Sequence, residues 1–204
     1  MPGNLIPLAA LIIWLHATLL FAQQKAFETI SVGATMGYTI SGNELLDSWD
    51  SKPSLQLNFR TPFYAGELES GLRYSKFTHS PELPDYSDFR TTYIFLGWGY
   101  DFAVSENLFI SPLLRFGTKF FHYKNAKRYP SPSGSWFYAF DSNESEFAYE
   151  LIFRGTYRLS DKFSAYADLS YNRTLTYHPI QLNYLSAGIM YTFDTPNWLR
   201  KGLK

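Results

Sequence analysis

From Ile30 onward the chain alternates apolar residues with polar or small ones in eight separate segments. A period of two is the signature of a β-strand with one greasy and one polar face. In the first segment Ile30, Val32, Ala34, Met36, Tyr38 and Ile40 share one face, and Ser31, Gly33, Thr35, Gly37 and Thr39 the other. The second sets Leu55, Leu57 and Phe59 against Gln56, Asn58 and Arg60; the third sets Leu68, Leu72 and Tyr74 against Glu69, Gly71 and Arg73. The fourth is more apolar all round, and Gly97 and Gly99 mark Ile94, Leu96, Trp98 and Tyr100 as its greasy face. The fifth opposes Leu108, Ile110, Leu114, Phe116 and Phe120 to Ser111, Arg115, Gly117 and Lys119. The sixth opposes Phe147, Tyr149, Leu151, Phe153 and Tyr157 to Glu150, Arg154, Thr156 and Arg158. The seventh opposes Phe163, Ala165, Ala167, Leu169 and Tyr171 to Ser164, Tyr166, Asp168, Ser170 and Asn172. The last opposes Leu185, Ala187, Ile189, Tyr191 and Phe193 to Tyr184, Ser186, Gly188 and Thr192.

Alternation alone does not say which face is outside. A soluble lipocalin-like barrel carries the same pattern with the apolar face inward. Three features favour the inverse. Strand glycines lie almost wholly on the polar face, where they make room for long charged side chains in a narrow lumen; on a solvated exterior they would weaken the strands. Aromatic residues on the apolar face gather near strand ends, with aliphatic residues between them, as a lipid-facing surface requires. Connections alternate in length: Gly42–Lys52, His79–Asp88, Lys124–Ser145 and the shorter Leu175–Ile180 alternate with tight turns near Phe63–Gly66, Val104–Asn107 and Ser160–Lys162. The expectation is an all-β fold over residues 23–193: an eight-stranded antiparallel up-and-down transmembrane β-barrel, with both ends on the periplasmic, tight-turn side.

Composition supports this and narrows the chemistry. Aromatic residues make up 19% of the chain, with 16 Tyr and 18 Phe, enough to furnish two interfacial belts. Lys plus Arg equals Asp plus Glu, so no basic excess points to nucleic acid. The absence of cysteine excludes disulfides, zinc-thiolate sites and thiol nucleophiles. Residues 1–22 read as a secretory signal peptide cleaved after Ala22, although Met1-Pro2-Gly3-Asn4 lacks a basic residue; an uncleaved anchor helix is the alternative. No later apolar run approaches the ~20 residues a transmembrane helix needs. Asp194–Lys204 forms a short periplasmic tail, basic at its end, which either rests on headgroups through Trp198, binds a partner, or is disordered.

An eight-stranded lumen is just wide enough for side chains to fill. Arg60, Glu69, Arg73, Arg115, Lys119, Glu150, Arg154, Arg158 and Asp168 therefore have to find partners inside it, because an unpaired buried charge is strongly destabilising. They are expected to form a polar plug rather than a water-filled channel.

With its strands assigned, the chain resembles the OmpA/OmpX-type family of small outer-membrane β-barrels. The final strand is similar to the β-signal that such proteins offer to the barrel-assembly machinery: Ser186, Gly188, Tyr191 and Phe193 stand at its polar, glycine and two aromatic positions. The chain departs from the pattern by continuing past Phe193. The resemblance implies a bacterial outer-membrane location, contact with outer-membrane lipid and lipopolysaccharide, and no cofactor. It also names the competing function, since barrels of this size include lipid A deacylases and palmitoyltransferases. His122-Tyr123-Lys124-Asn125 is faintly similar to a deacylase His-x-Ser-Asn segment, but Lys124 stands where the nucleophilic serine belongs. His79, His122 and His178 all fall at the long-loop end, and neither a catalytic nor a metal site is assigned to them. The third long connection offers a loop contact surface: His122, Lys124, Lys127, Arg128, Tyr129, Trp136 and Tyr138, placed to meet lipopolysaccharide phosphates or another chain. The expected function is thus non-enzymatic: a structural or adhesive component, or an accessory of a larger outer-membrane complex.

Overall fold

The computed structural model describes residues 26–42, 45–64, 66–79, 87–124, 128–130, 136–138 and 143–203. The leader expected over residues 1–22 and the basic residue Lys127 lie outside the described residues, and Arg128, Tyr129, Trp136 and Tyr138 are described as backbone only. The eight alternating segments form eight strands: β1 (Thr29–Gly42), β2 (Ser54–Phe63), β3 (Gly66–His79), β4 (Phe89–Gly99), β5 (Leu108–Tyr123), β6 (Asn143–Arg158), β7 (Phe163–Thr174) and β8 (Ile180–Asp194). Each pairs antiparallel with its neighbours in sequence, and β1 pairs with β8 from Thr29↔Asp194 to Gly42↔Leu182, so the sheet closes on itself. One irregularity, between Thr39 and Ser41, interrupts that closing ladder. Closure leaves no free edge along the barrel wall.

The wall is polar inside and apolar outside. Arg115, Arg154, Glu69 and Glu150 are 0% exposed, whereas Met36, Leu57, Ile94, Phe153 and Ile189 are 47–62% exposed. The lipocalin-like arrangement, with its apolar face inward, is therefore not the one adopted. A strand of 12 residues tilted by roughly 40° rises about 30 Å, the thickness of a bilayer's hydrocarbon layer. Among the described residues no helix is long and apolar enough to cross a membrane.

Tight turns join β2 to β3, β4 to β5 and β6 to β7; in the first, Tyr64 takes the left-handed backbone conformation (φ 53°) that so short a reversal needs. At the other end the connections build structure of their own. After β1 comes a one-turn helix, Leu45–Ser48, and then a short strand, Trp49–Ser51, which pairs with Phe77–His79 of β3. Between β5 and β6, Arg128–Pro130 and Trp136–Tyr138 pair as a small separate hairpin. The tail is ordered over residues 195–203: Asn197–Leu203 is helical, and the Thr195 amide donates to the Glu28 carbonyl at 2.9 Å. The Arg200 guanidinium reaches that same carbonyl at 3.3 Å, so the segment after β8 folds back beside the start of β1.

Candidate functional site

The lumen is filled in three tiers. At the tight-turn mouth Arg60 pairs with Glu67 and, at 3.1 Å, with Asp101, which also accepts a hydrogen bond from Ser111. The middle tier holds three cations and three carboxylates in alternation. Arg73 meets Glu150 at 2.6 Å; Arg115 meets Glu150 at 3.2 Å and Glu69 at 3.0 Å; Arg154 meets Glu69 at 3.2 Å and Asp168 at 2.6 Å. Neutral groups add further hydrogen bonds. Gln56 accepts from Arg73 at 2.8 Å and from Arg115 at 3.2 Å, Asn58 donates to Glu69 at 2.6 Å, and Ser170 donates to Glu150 at 2.7 Å. Tyr166 donates to Asn58 at 2.9 Å and also bonds the Thr35 hydroxyl. Because every carboxylate touches an arginine, no charge in this tier is left without a partner, the condition for tolerating ions away from water.

The guanidinium groups are also stacked on inward-facing rings. Arg73 lies 4.5 Å from the centre of Tyr184, Arg115 4.4 Å from Phe95, and Arg154 4.5 Å from Tyr166. The room comes from glycine. A Cβ on Gly97 would stand 2.7 Å from the Arg115 Cγ and 2.7 Å from the Leu114 carbonyl oxygen. Above this tier Lys119 donates to the Asn172 side chain and lies 5.8 Å from the centre of the Tyr93 ring.

The third tier is apolar. Trp49, Phe77, Phe89, Phe121, Leu182 and Tyr184 are buried together at the long-loop mouth, with Phe77 and Phe89 stacked at 4.7 Å and Trp49 edge-on to Phe89 at 5.6 Å. The Trp49 indole N–H donates to the Ser87 carbonyl at 2.9 Å, which fastens the first connection over the opening. The lumen is thus sealed at one end by rings and packed with ions below.

Of the polar-face residues singled out from the sequence, Arg60, Glu69, Arg73, Arg115, Lys119, Glu150, Arg154 and Asp168 are buried within the barrel. Arg158 stands at the last position of β6, exposed at the tight-turn opening that it lines with Arg60, Glu67 and Asp101, and lies 4.8 Å from the centre of the Phe109 ring. Ser186 and Gly188 face the lumen, and Tyr191 and Phe193 face outward, with Tyr191 5.0 Å from Phe163. Gly188 also has a local role, since a Cβ there would stand 2.3 Å from the Ala34 carbonyl oxygen. The sequence reading missed Glu67 and Asp101 as partners of Arg60, and it missed the apolar cap. Both left a trace: Glu67 shares the parity of Glu69, and the fourth segment is apolar on both faces because Phe89, Tyr93 and Phe95 point inward.

The histidines do not converge. The His79 Nδ1 lies 2.7 Å from the Asp88 carboxylate, which also accepts from the His79 amide at 3.1 Å. Burial raises the Asp88 pKa, but these two hydrogen bonds and the histidine's charge outweigh it and hold the carboxyl below its usual range. His122 instead bonds Asn143 at 2.6 Å on the outer side of the wall, and His178 sits in the last connection. Among the described residues no group of three His, Cys, Asp or Glu is placed to hold a metal ion.

No protein-family model matches the chain, and no curated protein sequence is significantly similar to it. Solved structures do share its fold. A major outer membrane protein from Thermus thermophilus superposes with a TM-score of 0.54 at 10% identity, over 80% of this chain and 99% of that one. Neisserial surface protein A superposes with a TM-score of 0.59 at 15% identity, over 81% of this chain and 96% of its own, so the eight-stranded closed antiparallel barrel is the architecture of small outer-membrane proteins.

Proposed function

We propose that this chain is an integral protein of a bacterial outer membrane that works through its surfaces, as a structural, adhesive or accessory component of the envelope. In this reading the long connections face outward, and the two ends of the barrel segment face the periplasm. Outer-membrane lipid and lipopolysaccharide surround the wall, and the barrel-assembly machinery inserts it, reading Ser186, Gly188, Tyr191 and Phe193. The observation that carries the proposal is the inverted distribution of polarity: ion pairs fill the lumen while a continuous apolar band covers the outside. In water that band would be an aggregation surface; in lipid it is the solvated face, and closure pairs the wall strands with one another across the membrane span. The ordered lumen speaks against conduction and for a rigid post that displays its rim and tail. A larger assembly would engage the helix Asn197–Leu203, which exposes Trp198 beside the tight-turn end.

The test is migration of the full-length protein from outer-membrane fractions on gels before and after boiling. A folded barrel runs anomalously until heated. Recovery in the soluble fraction, with migration insensitive to heat, contradicts the proposal.

The competing enzymatic reading has one feature in its favour, the His79–Asp88 pair, because a carboxylate on Nδ1 orients an imidazole for general-base work. Among the described residues no hydroxyl is bonded to the other ring nitrogen of His79, and His122 points elsewhere. Mass spectra of lipid A from strains with and without the protein decide between the readings. Identical acyl patterns are expected, and a gained or lost acyl chain contradicts the non-enzymatic one.

A further inference from the structure

The strands' outward positions carry very few charges. Among the described residues the eight wall strands hold only Lys76 on β3, Arg90 on β4, His122 on β5 and Arg173 on β7 there, besides tyrosines, and the short strand Trp49–Ser51 adds Asp50. All four on the wall are cationic or can become so, and all four lie at the long-loop end. Three of them are cross-strand neighbours, because the register pairs Lys76 with Arg90 and Arg90 with His122. They form one transverse row. The next partner in that row, Asn143 on β6, is uncharged.

At this row the alternation of the wall inverts. Phe77, Phe89 and Phe121 point into the apolar cap while their neighbours Lys76, Arg90 and His122 point out. Two residues nearer the middle of the barrel, about 7 Å along the strands, the corresponding outward row is Tyr74, Thr92 and Phe120, and below it lie Leu72, Ile94 and Thr118. The basic row therefore stands directly above the apolar band. Lys52 extends it, since its amide donates to the Lys76 carbonyl at 2.9 Å. A groove of about 490 Å³ runs over the row, bounded also by Tyr74, Tyr123 and Lys124. The carboxylate that borders this groove, Asp88, is engaged by His79 and not by the row.

Two like charges directly opposite on adjacent strands oppose pairing. Among the described residues neither Lys76 nor Arg90 forms an ion pair, and the outward carboxylate nearest the row, Asp50 on the short strand Trp49–Ser51, stands opposite Thr78, so the row keeps a positive charge open to an anion supplied from outside. We infer that Lys76, Arg90 and His122 bind the phosphate groups of a phosphorylated glycolipid of the outer leaflet, whose acyl chains lie along the apolar band beneath. The planar fork of Arg90 suits a phosphomonoester, and Lys76 adds a point charge beside it. This site rests on the membrane seating and orientation proposed above.

The test uses the full-length barrel in nanodiscs of zwitterionic phosphatidylcholine. Equal mole fractions of bis-phosphorylated lipid A, fully dephosphorylated lipid A or phosphatidylglycerol are added, and the lipid retained by the protein is read by native mass spectrometry. Wild type retains the bis-phosphorylated lipid A and neither of the others. Lys76→Gln/Arg90→Gln/His122→Gln lowers that retention at least tenfold, and Lys76→Gln or Arg90→Gln alone lowers it by an intermediate amount. Arg173→Gln, which removes an outward cation from the far side of the wall, leaves retention unchanged. Equal retention of phosphatidylglycerol, an equal loss on Arg173→Gln, or undiminished binding by the triple variant overturns the site. A chain that enters no bilayer overturns the membrane reading and this site with it; an inserted barrel that ignores lipid A overturns the site alone.

Discussion

Arg115 is the pivot of the lumen, since it touches Glu69 and Glu150 and joins the Arg73 half of the ionic chain to the Arg154 half. Arg115→Met leaves two buried carboxylates short of a partner, a loss of about 3–5 kcal/mol. It is read as a lower temperature at which the folded gel band converts to the unfolded one. A second residue-scale expectation concerns Asp88, whose folded pKa is depressed. The tie to His79 contributes in full above the pKa of an unfolded aspartate, about 3.9, and is lost as pH falls through the lower folded value. Hydrogen exchange at the His79 amide, corrected for its intrinsic rate, should therefore accelerate only below about pH 4. In Asp88→Asn that acid-dependent step should vanish. At this scale parity was legible in the sequence: Arg73, Glu69 and Arg154 all stand opposite greasy neighbours. Partnership was not, because Arg73 and Glu150 are far apart in the chain and meet only once the wall has closed. The Arg60 trio was hidden for another reason, as Asp101 lies beyond the end of β4 and periodicity does not reach it.

Among the strands, the β5–β6 hairpin is the longest, at 16 residues each. It outruns β7, which ends at Thr174 opposite Ala148; beyond the Leu175 amide's bond to the Phe147 carbonyl, Asn143–Glu146 has its strand partners on the β5 side. Strand existence was plain from the alternation, but the structure within the long connections was not. The segment that yields the Leu45–Ser48 helix and the Trp49–Ser51 strand has no repeating pattern, and it is ordered by docking Trp49 into the aromatic cap. The last strand carries two roles that mutation can separate. Gly188 is required by the close approach of β1, whereas Tyr191 and Phe193 point outward and bear little on the lumen. Tyr191→Ala/Phe193→Ala should therefore lower the fraction of chain that reaches the folded, heat-modifiable form in cells severalfold, while the purified variant still refolds in detergent. A variant that assembles in cells as well as wild type removes the signal role.

The whole molecule is an inside-out protein: ions and amides in the middle, rings sealing one mouth, aliphatic side chains on the outside. Closure, strand number and the facing of the wall were all readable from eight alternating segments and from glycines gathered mostly on one face. The seal was not, because it is assembled from the ends of β3, β4, β5 and β8 together with Trp49, each contributing only one or two side chains. What the barrel does follows from where its two ends lie, and the lack of native cysteine makes that directly measurable. Single cysteines at Tyr177 in the last long connection, at Leu57 on the apolar band and at Ser105 in a tight turn report the three environments. Treated with a membrane-impermeant maleimide, intact cells should label the Tyr177→Cys variant. Ser105→Cys should label only after the outer membrane is permeabilised, and Leu57→Cys only after denaturation. Labelling of Leu57→Cys as fast as Tyr177→Cys, or of Ser105→Cys on intact cells, would contradict the account.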